Sequence, residues 1–110
     1  MKSEPLKITA RCPIRTTIDL LGGKWKLLII HQLAIEPLRL SEIKKLIPDI
    51  SEKMLIQELK TLCEAGLANR KNFGEGRPKV AYALTPIGLK IMPVIAEMRN
   101  FALEYESEIK

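Results

Sequence analysis

A mainly α-helical fold with one small β-hairpin is predicted by three observations on this 110-residue sequence. Apolar residues recur at helical spacing in four successive stretches between positions 13 and 66. The period then changes to alternation around a glycine-rich tip at 74–78, and from Thr85 a helical stripe resumes and runs nearly to the end. The length fits one domain, residues 1–110. Apolar residues at 46% suffice for a core, and charged residues at 28% are too mixed in sign for a disordered tail.

Each element has a local reason. Ile14, Ile18 and Leu21 share one face of a first helix, with Pro13 at its first position and Gly22-Gly23 ending it. Trp25, Leu28, Ile29, Gln32 and Leu33 follow the i, i+3, i+4, i+7, i+8 rule, predicting a second helix over 24–33 with that face inward. A third, short helix turns Leu40, Ile43 and Ile47 inward with Leu46 beside them and stops before Pro48. Ser51 is a good N-cap for a fourth helix, lined by Leu55, Leu59 and Leu62 and closed near Gly66. The third and fourth have the form of a helix-turn-helix, at about 40–65.

Ala68 to Phe73 and Val80 to Leu84 then read as the strands of a hairpin, a wing spanning about 68–84. Thr85-Pro86 restarts a helix over about 86–106, with Ile87, Ile91, Val94, Met98, Phe101 and Tyr105 on one stripe of roughly 28 Å at 1.5 Å per residue. A domain this small cannot cover that length by itself, so a second chain is expected there. Pro93 inside the stripe predicts a kink.

Eighteen Lys and Arg against thirteen Asp and Glu leave a charge of +5 and favour a polyanionic partner. No stretch approaches the roughly 18 uninterrupted apolar residues of a membrane span, and no export signal precedes the first helix. A cytoplasmic protein without membrane contact is the expectation. Cys12 and Cys63 form no Cys-x-x-Cys pair, and with His31 the sole histidine no metal motif, cofactor loop or catalytic set can be assembled, so an enzyme is not expected.

The order of elements, with a basic hairpin directly after a helix-turn-helix, is the plan of a winged helix. Residues 69–80 hold Arg70, Lys71, Arg77 and Lys79 against Glu75 alone, whereas 97–110 hold Arg99 and Lys110 against four glutamates. On the fourth helix, Glu52, Lys53, Ile56, Gln57 and Lys60 lie opposite the leucines and suit a DNA major groove about 12 Å wide. Gln57 has the chemistry to read adenine, and Lys53 to reach guanine or phosphate. The alternative is a solvated face of an amphipathic helix.

The sequence resembles the HxlR family of bacterial winged-helix transcriptional regulators from Cys12 to Phe101. The resemblance rests on Cys12-Pro13, Gly22-Gly23-Lys24-Trp25, Arg39 with Ile43, Ile50-Ser51 before Lys53-Met54-Leu55, Gly66-Leu67 with Arg70, and Val80, Tyr82, Leu84-Thr85 and Gly88. It implies a homodimer, paired through its first and last helices, on operator DNA of partial two-fold symmetry. Ile14, Ile18, Ile91, Val94, Met98, Phe101 and Tyr105 would form the dimer contact. The base-directed residues would be Ser51, Lys53, Ile56, Gln57 and Lys60, and the phosphate-directed ones Arg39, Lys44, Arg70, Lys71, Arg77 and Lys79. Glu58, where many relatives have Arg, makes the fourth helix less basic.

Cys12 sits at a helix N-terminus between Arg11 and Arg15, where dipole and cations favour a thiolate. Some members of the family it resembles use the equivalent cysteine to sense electrophiles, quinones or oxidants, which would make Cys12 a thiol sensor. The alternative is a buried cysteine that only packs. No residue pattern names an effector. Cys63 reads as packing or half-exposed filler, Trp25 and Tyr82 as core residues, and His31 as a satisfied or exposed histidine and neither a ligand nor a base. A winged helix that serves only as a protein-interaction module is the other reading of the whole chain.

Overall fold

The computed structural model describes residues 12–72 and 80–109. In chain order it contains α1 (Pro13–Leu21), α2 (Lys26–Leu33), α3 (Leu40–Leu46), α4 (Glu52–Glu64), β1 (Ala68–Asn72), β2 (Val80–Leu84), α5 (Pro86–Leu89) and α6 (Met92–Ile109). The expected order of helices and hairpin is present. None of the described helices is long and apolar enough to cross a membrane.

The core is built around α4. Leu55, Leu59 and Leu62 are all fully buried, together with Ile29 and Ile30 of α2, Ile43 of α3 and Ile50 of the connecting turn. Each such side chain contributes about 1.5–3 kcal/mol relative to exposure. α2 departs from the expected inward face: Ile29, Ile30 and Leu33 are buried, whereas Leu28 is 48% exposed. Five of its eight residues are apolar, so periodicity does not single out one face, and α2 packs at once against α3, α4, α6 and β2. On α3, Ile43 and Ile47 point inward as expected and Leu46 stays exposed.

Both ends of α4 are capped. The Ser51 hydroxyl oxygen accepts from Met54 N–H at 3.1 Å. At the other end Gly66 adopts φ +79°, a left-handed conformation that favours glycine. There Leu67 N–H donates to the Leu62 carbonyl and Gly66 N–H to that of Cys63, both at 3.0 Å, which makes a Schellman stop.

The hairpin is antiparallel, with Ala68 opposite Leu84, Arg70 opposite Tyr82 and Asn72 opposite Val80. A further strand-like contact was not legible in the sequence: Leu38 exchanges two backbone hydrogen bonds with Tyr82, at 3.0 and 2.8 Å, on the outer edge of β2. This ties the segment before α3 to the wing. Tyr82 packs against the core, and so does Trp25, which lies just ahead of α2 with Lys24 Nζ 4.6 Å from its ring centroid.

The last helix corrects an expectation. In place of one kinked helix from Thr85, α5 ends at Leu89, the chain turns at Lys90-Ile91, and α6 begins at Met92 with Pro93 as its second residue. Inside a continuous helix Pro93 would lack its donor and crowd the Leu89 carbonyl, whereas in a first turn neither penalty arises.

Thr85 clasps the two halves together. Its hydroxyl donates to the Gly66 carbonyl at 2.7 Å and accepts from Gly88 N–H at 3.1 Å, while its own N–H donates to the Leu67 carbonyl at 3.1 Å. Gly88 is buried against that same Leu67 carbonyl, so that a Cβ at position 88 would collide with backbone. Gly88→Ala is therefore expected to lower stability by about 1–3 kcal/mol, the range for overpacking. Urea unfolding checks this, and an unchanged midpoint would contradict the close packing.

Candidate nucleic-acid interface

Burying the three leucines turns the opposite side of α4 to solvent. Lys53, Ile56, Gln57 and Lys60 are all exposed there, and Ser51 is exposed at the N-terminal end with its oxygen engaged as the cap. The expected base-directed set is thus brought together. Ile56, 45% exposed, gives that face one apolar contact point among polar ones. Glu58 is not part of it. It lies at the flank of α4, with one oxygen 2.8 Å from Lys26 Nζ of α2 and both side chains about 15% exposed, so its charge faces inward.

A second group of cations lies beside α4. Arg39, Lys44 and Lys45 border a shallow concavity with Ser41, Glu52 and Val80. Arg39 immediately precedes α3: its backbone N–H donates to Glu42 Oε1 at 2.7 Å and its guanidinium lies 3.5 Å from Glu42 Oε2. That backbone hydrogen bond, helped by the Arg39 charge, holds the Glu42 carboxyl below its ordinary 4.5, so the cap persists at neutral pH and is lost only on acidification through the lowered value. Lys44 Nζ donates to the Pro48 carbonyl at 2.8 Å, which occupies it within the turn. Lys45 is exposed and was missed in the sequence. Its signal was available, since with Ile43 and Ile47 inward position 45 must face out.

The wing separates its two described cations. Arg70 lies opposite Tyr82 and Lys71 opposite Ala81, and successive residues on a strand point to opposite faces. Arg70 shares a face with buried Ala68 and lies near enough to Cys63 to act on it. Burial pushes the Cys63 thiol above its ordinary 9.0 and the Arg70 charge pulls the other way. Arg77 and Lys79, also expected to meet phosphate, lie outside the described residues.

Away from this surface, α1 exposes Ile14 (51%) and Ile18 (59%), and α6 exposes Val94, Met98, Phe101 and Tyr105. The Phe101 and Tyr105 rings stack at 5.9 Å. Ile91 differs from the rest of the stripe, being half-buried against the core. Cys12, at the N-cap of α1, is 2% exposed and borders a small concavity with Ile14, Arg15, Ile18 and Asp19. His31 is exposed at the last turn of α2. Among the described residues no three His, Cys, Asp or Glu side chains are placed to hold a metal ion.

Helix-turn-helix, hairpin and the bridging Leu38 together define a winged helix-turn-helix. The family model of the HxlR-like helix-turn-helix matches residues 20–110, and the chain belongs to that family. It is 41% identical over 97 residues to the HTH-type transcriptional regulator YkvN of Bacillus subtilis, covering 88% of this chain and 82% of that one. A crystal structure described as a MarR-family transcriptional regulator from Porphyromonas gingivalis superposes with a TM-score of 0.82 at 47% identity, covering 89% of this chain and 97% of that one. The reduced form of the transcriptional regulator YodB from B. subtilis gives 0.75 at 40% identity, covering 83% and 90%. YodB is also known in quinone-bound and diamide-treated forms.

Proposed function

We propose that residues 1–110 act as one winged-helix unit, a cytoplasmic transcriptional regulator that binds double-stranded DNA as a homodimer. The observation that carries this reading is the outward face of α4, where Lys53, Ile56, Gln57 and Lys60 project together from a helix whose other side is fully buried. A helix so held enters a major groove as a rigid element, with Gln57 suited to adenine, Ile56 to a thymine methyl group and the lysines to guanine or phosphate. Arg39, Lys45 and the wing cations Lys71, Arg77 and Lys79 would meet flanking phosphates, with Arg70 at the wing base. The pairing surface would be the exposed apolar side of α1 and α6, which presents the two reading helices to a roughly two-fold symmetric operator.

Thiol control is proposed at Cys12. Its support is the position at the start of α1, next to Ile14 and Ile18 of the pairing surface, together with the quinone-bound and diamide-treated forms of YodB. A thiolate adding to a quinone carbon there would place a bulky group in a packed site and disturb α1. At 2% exposure the sulfur reacts only when the start of α1 opens.

Three outcomes are expected. In gel shifts on the DNA upstream of its own gene, Gln57→Ala relaxes sequence choice, whereas Arg77→Ala weakens binding to every duplex and reduces the salt slope by about one. Absence of any specific shift at low salt would favour a protein-interaction module. Sedimentation should show a dimer that Met98→Glu converts to monomer, and a monomeric parent would remove the pairing model. Cys12→Ser should bind DNA like the parent yet ignore diamide and quinone, and a variant that still responds would end the sensor role.

A further inference from the structure

We infer that the Lys26–Glu58 pair is a positioning device that sets the angle of α4 against α2, and with it the aim of the groove-facing residues. The inference rests on α4 being the DNA-reading helix. Three features carry it. The Glu58 oxygen 2.8 Å from Lys26 Nζ is shielded from water and its contact is poorly aligned for a hydrogen bond, so the ammonium charge is what compensates its burial. Lys26 is the first residue of α2, the end at which the helix dipole disfavours a cation, so helix formation itself does not account for it. Glu58 also flanks the buried leucine face, one residue before Leu59, where α2 meets α4.

Apolar contacts alone tolerate sliding and repacking, whereas separating this pair would leave the shielded Glu58 oxygen without a compensating charge, so the two helices are held at the spacing that keeps the charges together. Its expected contribution is therefore to register rather than to net stability. α2 also carries the link onward. Lys26 reaches α4, while the neighbouring Leu27 and Leu28 line a cleft with Ile95 and Met98 of α6. The pair thus stands between the reading helix and the helix proposed to join two copies, and a change of angle there would alter how two reading helices are presented to one operator.

The test replaces both charges with apolar side chains of similar length, in Lys26→Met with Glu58→Met, and exchanges them, in Lys26→Glu with Glu58→Lys. Melting, affinity for a duplex that the parent selects from a random pool, affinity for a scrambled duplex, and amide exchange along α4 are measured on the full chain. The methionine pair should melt near the parent and bind the scrambled duplex within about twofold, but lose about tenfold in affinity for the selected one. Its α4 amides should exchange faster while those of β1 and β2 do not. The exchanged pair should recover the preference. An undiminished preference in the methionine pair overturns the inference. So does an exchanged pair that regains stability without selectivity. If the parent selects no duplex, the DNA-reading proposal fails by itself, and α4 exchange then decides: unchanged rates overturn the positioning role.

Discussion

The complete burial of Leu55, Leu59 and Leu62 is the constraint on which the rest of the molecule depends. Three leucines at steps of four and three occupy one side of α4, and Ile29, Ile30, Ile43 and Ile50 surround them from α2, α3 and the intervening turn. A helix seated this way cannot rotate about its axis without exposing at least one leucine, at a cost of about 1.5–3 kcal/mol for each. The outward direction of Lys53, Ile56, Gln57 and Lys60 follows from what is hidden behind them. Glu58 lies at the boundary between the two sides, and there the apolar seat is supplemented by a charge contact with Lys26.

The same helix is held at its C-terminal end by backbone geometry. Gly66 turns the chain out of α4, Leu67 follows into the core, and Thr85 returns from the far strand to bond to Gly66 and to the Gly88 amide. One hydroxyl thus joins the end of α4 to the start of α5. Gly88 is required because the chain passes directly over the Leu67 carbonyl. Consequently the end of α4 and the start of α5 are held at one backbone junction, which α6 follows after the turn at Lys90-Ile91.

How much of this was legible in the sequence depended on whether the governing interaction was periodic. α4 was readable in detail because its leucines, cap and glycine stop are all local. The face of α2 was not, because a helix surrounded by four elements has no polar side to mark its outside. Leu38 makes its bridge through two backbone groups, which leave no pattern in side-chain order. Pro93 read as a kink because the stripe on either side keeps its phase, whereas the structure spends that proline in the first turn of a new helix. Glu58 stood out in the sequence only as a charge that makes the fourth helix less basic, and its inward pairing was not legible because its partner is thirty-two positions away on α2. The separation of Arg70 from Lys71 needed the strand parity, which the basic count of the hairpin does not contain.

α6 poses the remaining physical question, and the answer bears on assembly. Ile91, Met92 and Ile95 pack on the core, but every residue from Ala96 to Ile109 is exposed, including Met98, Phe101, Leu103, Tyr105 and Ile109. An isolated helix of that length is marginal in water because nucleation is costly and each side-chain pair such as Phe101 with Tyr105 adds only about 0.2–0.5 kcal/mol. Burial of an apolar side is the usual source of the missing stability, and here the chain has no further element to supply it among its described residues. Ile14 and Ile18 of α1 present a second uncovered apolar surface of matching character. In the homodimer proposed above, two such surfaces would satisfy each other across a two-fold axis, where each is met by the other's copy. That pairing would supply the burial α6 lacks within one chain, and would leave the cations of α3, α4 and β1 clear of the glutamate-rich end of that helix.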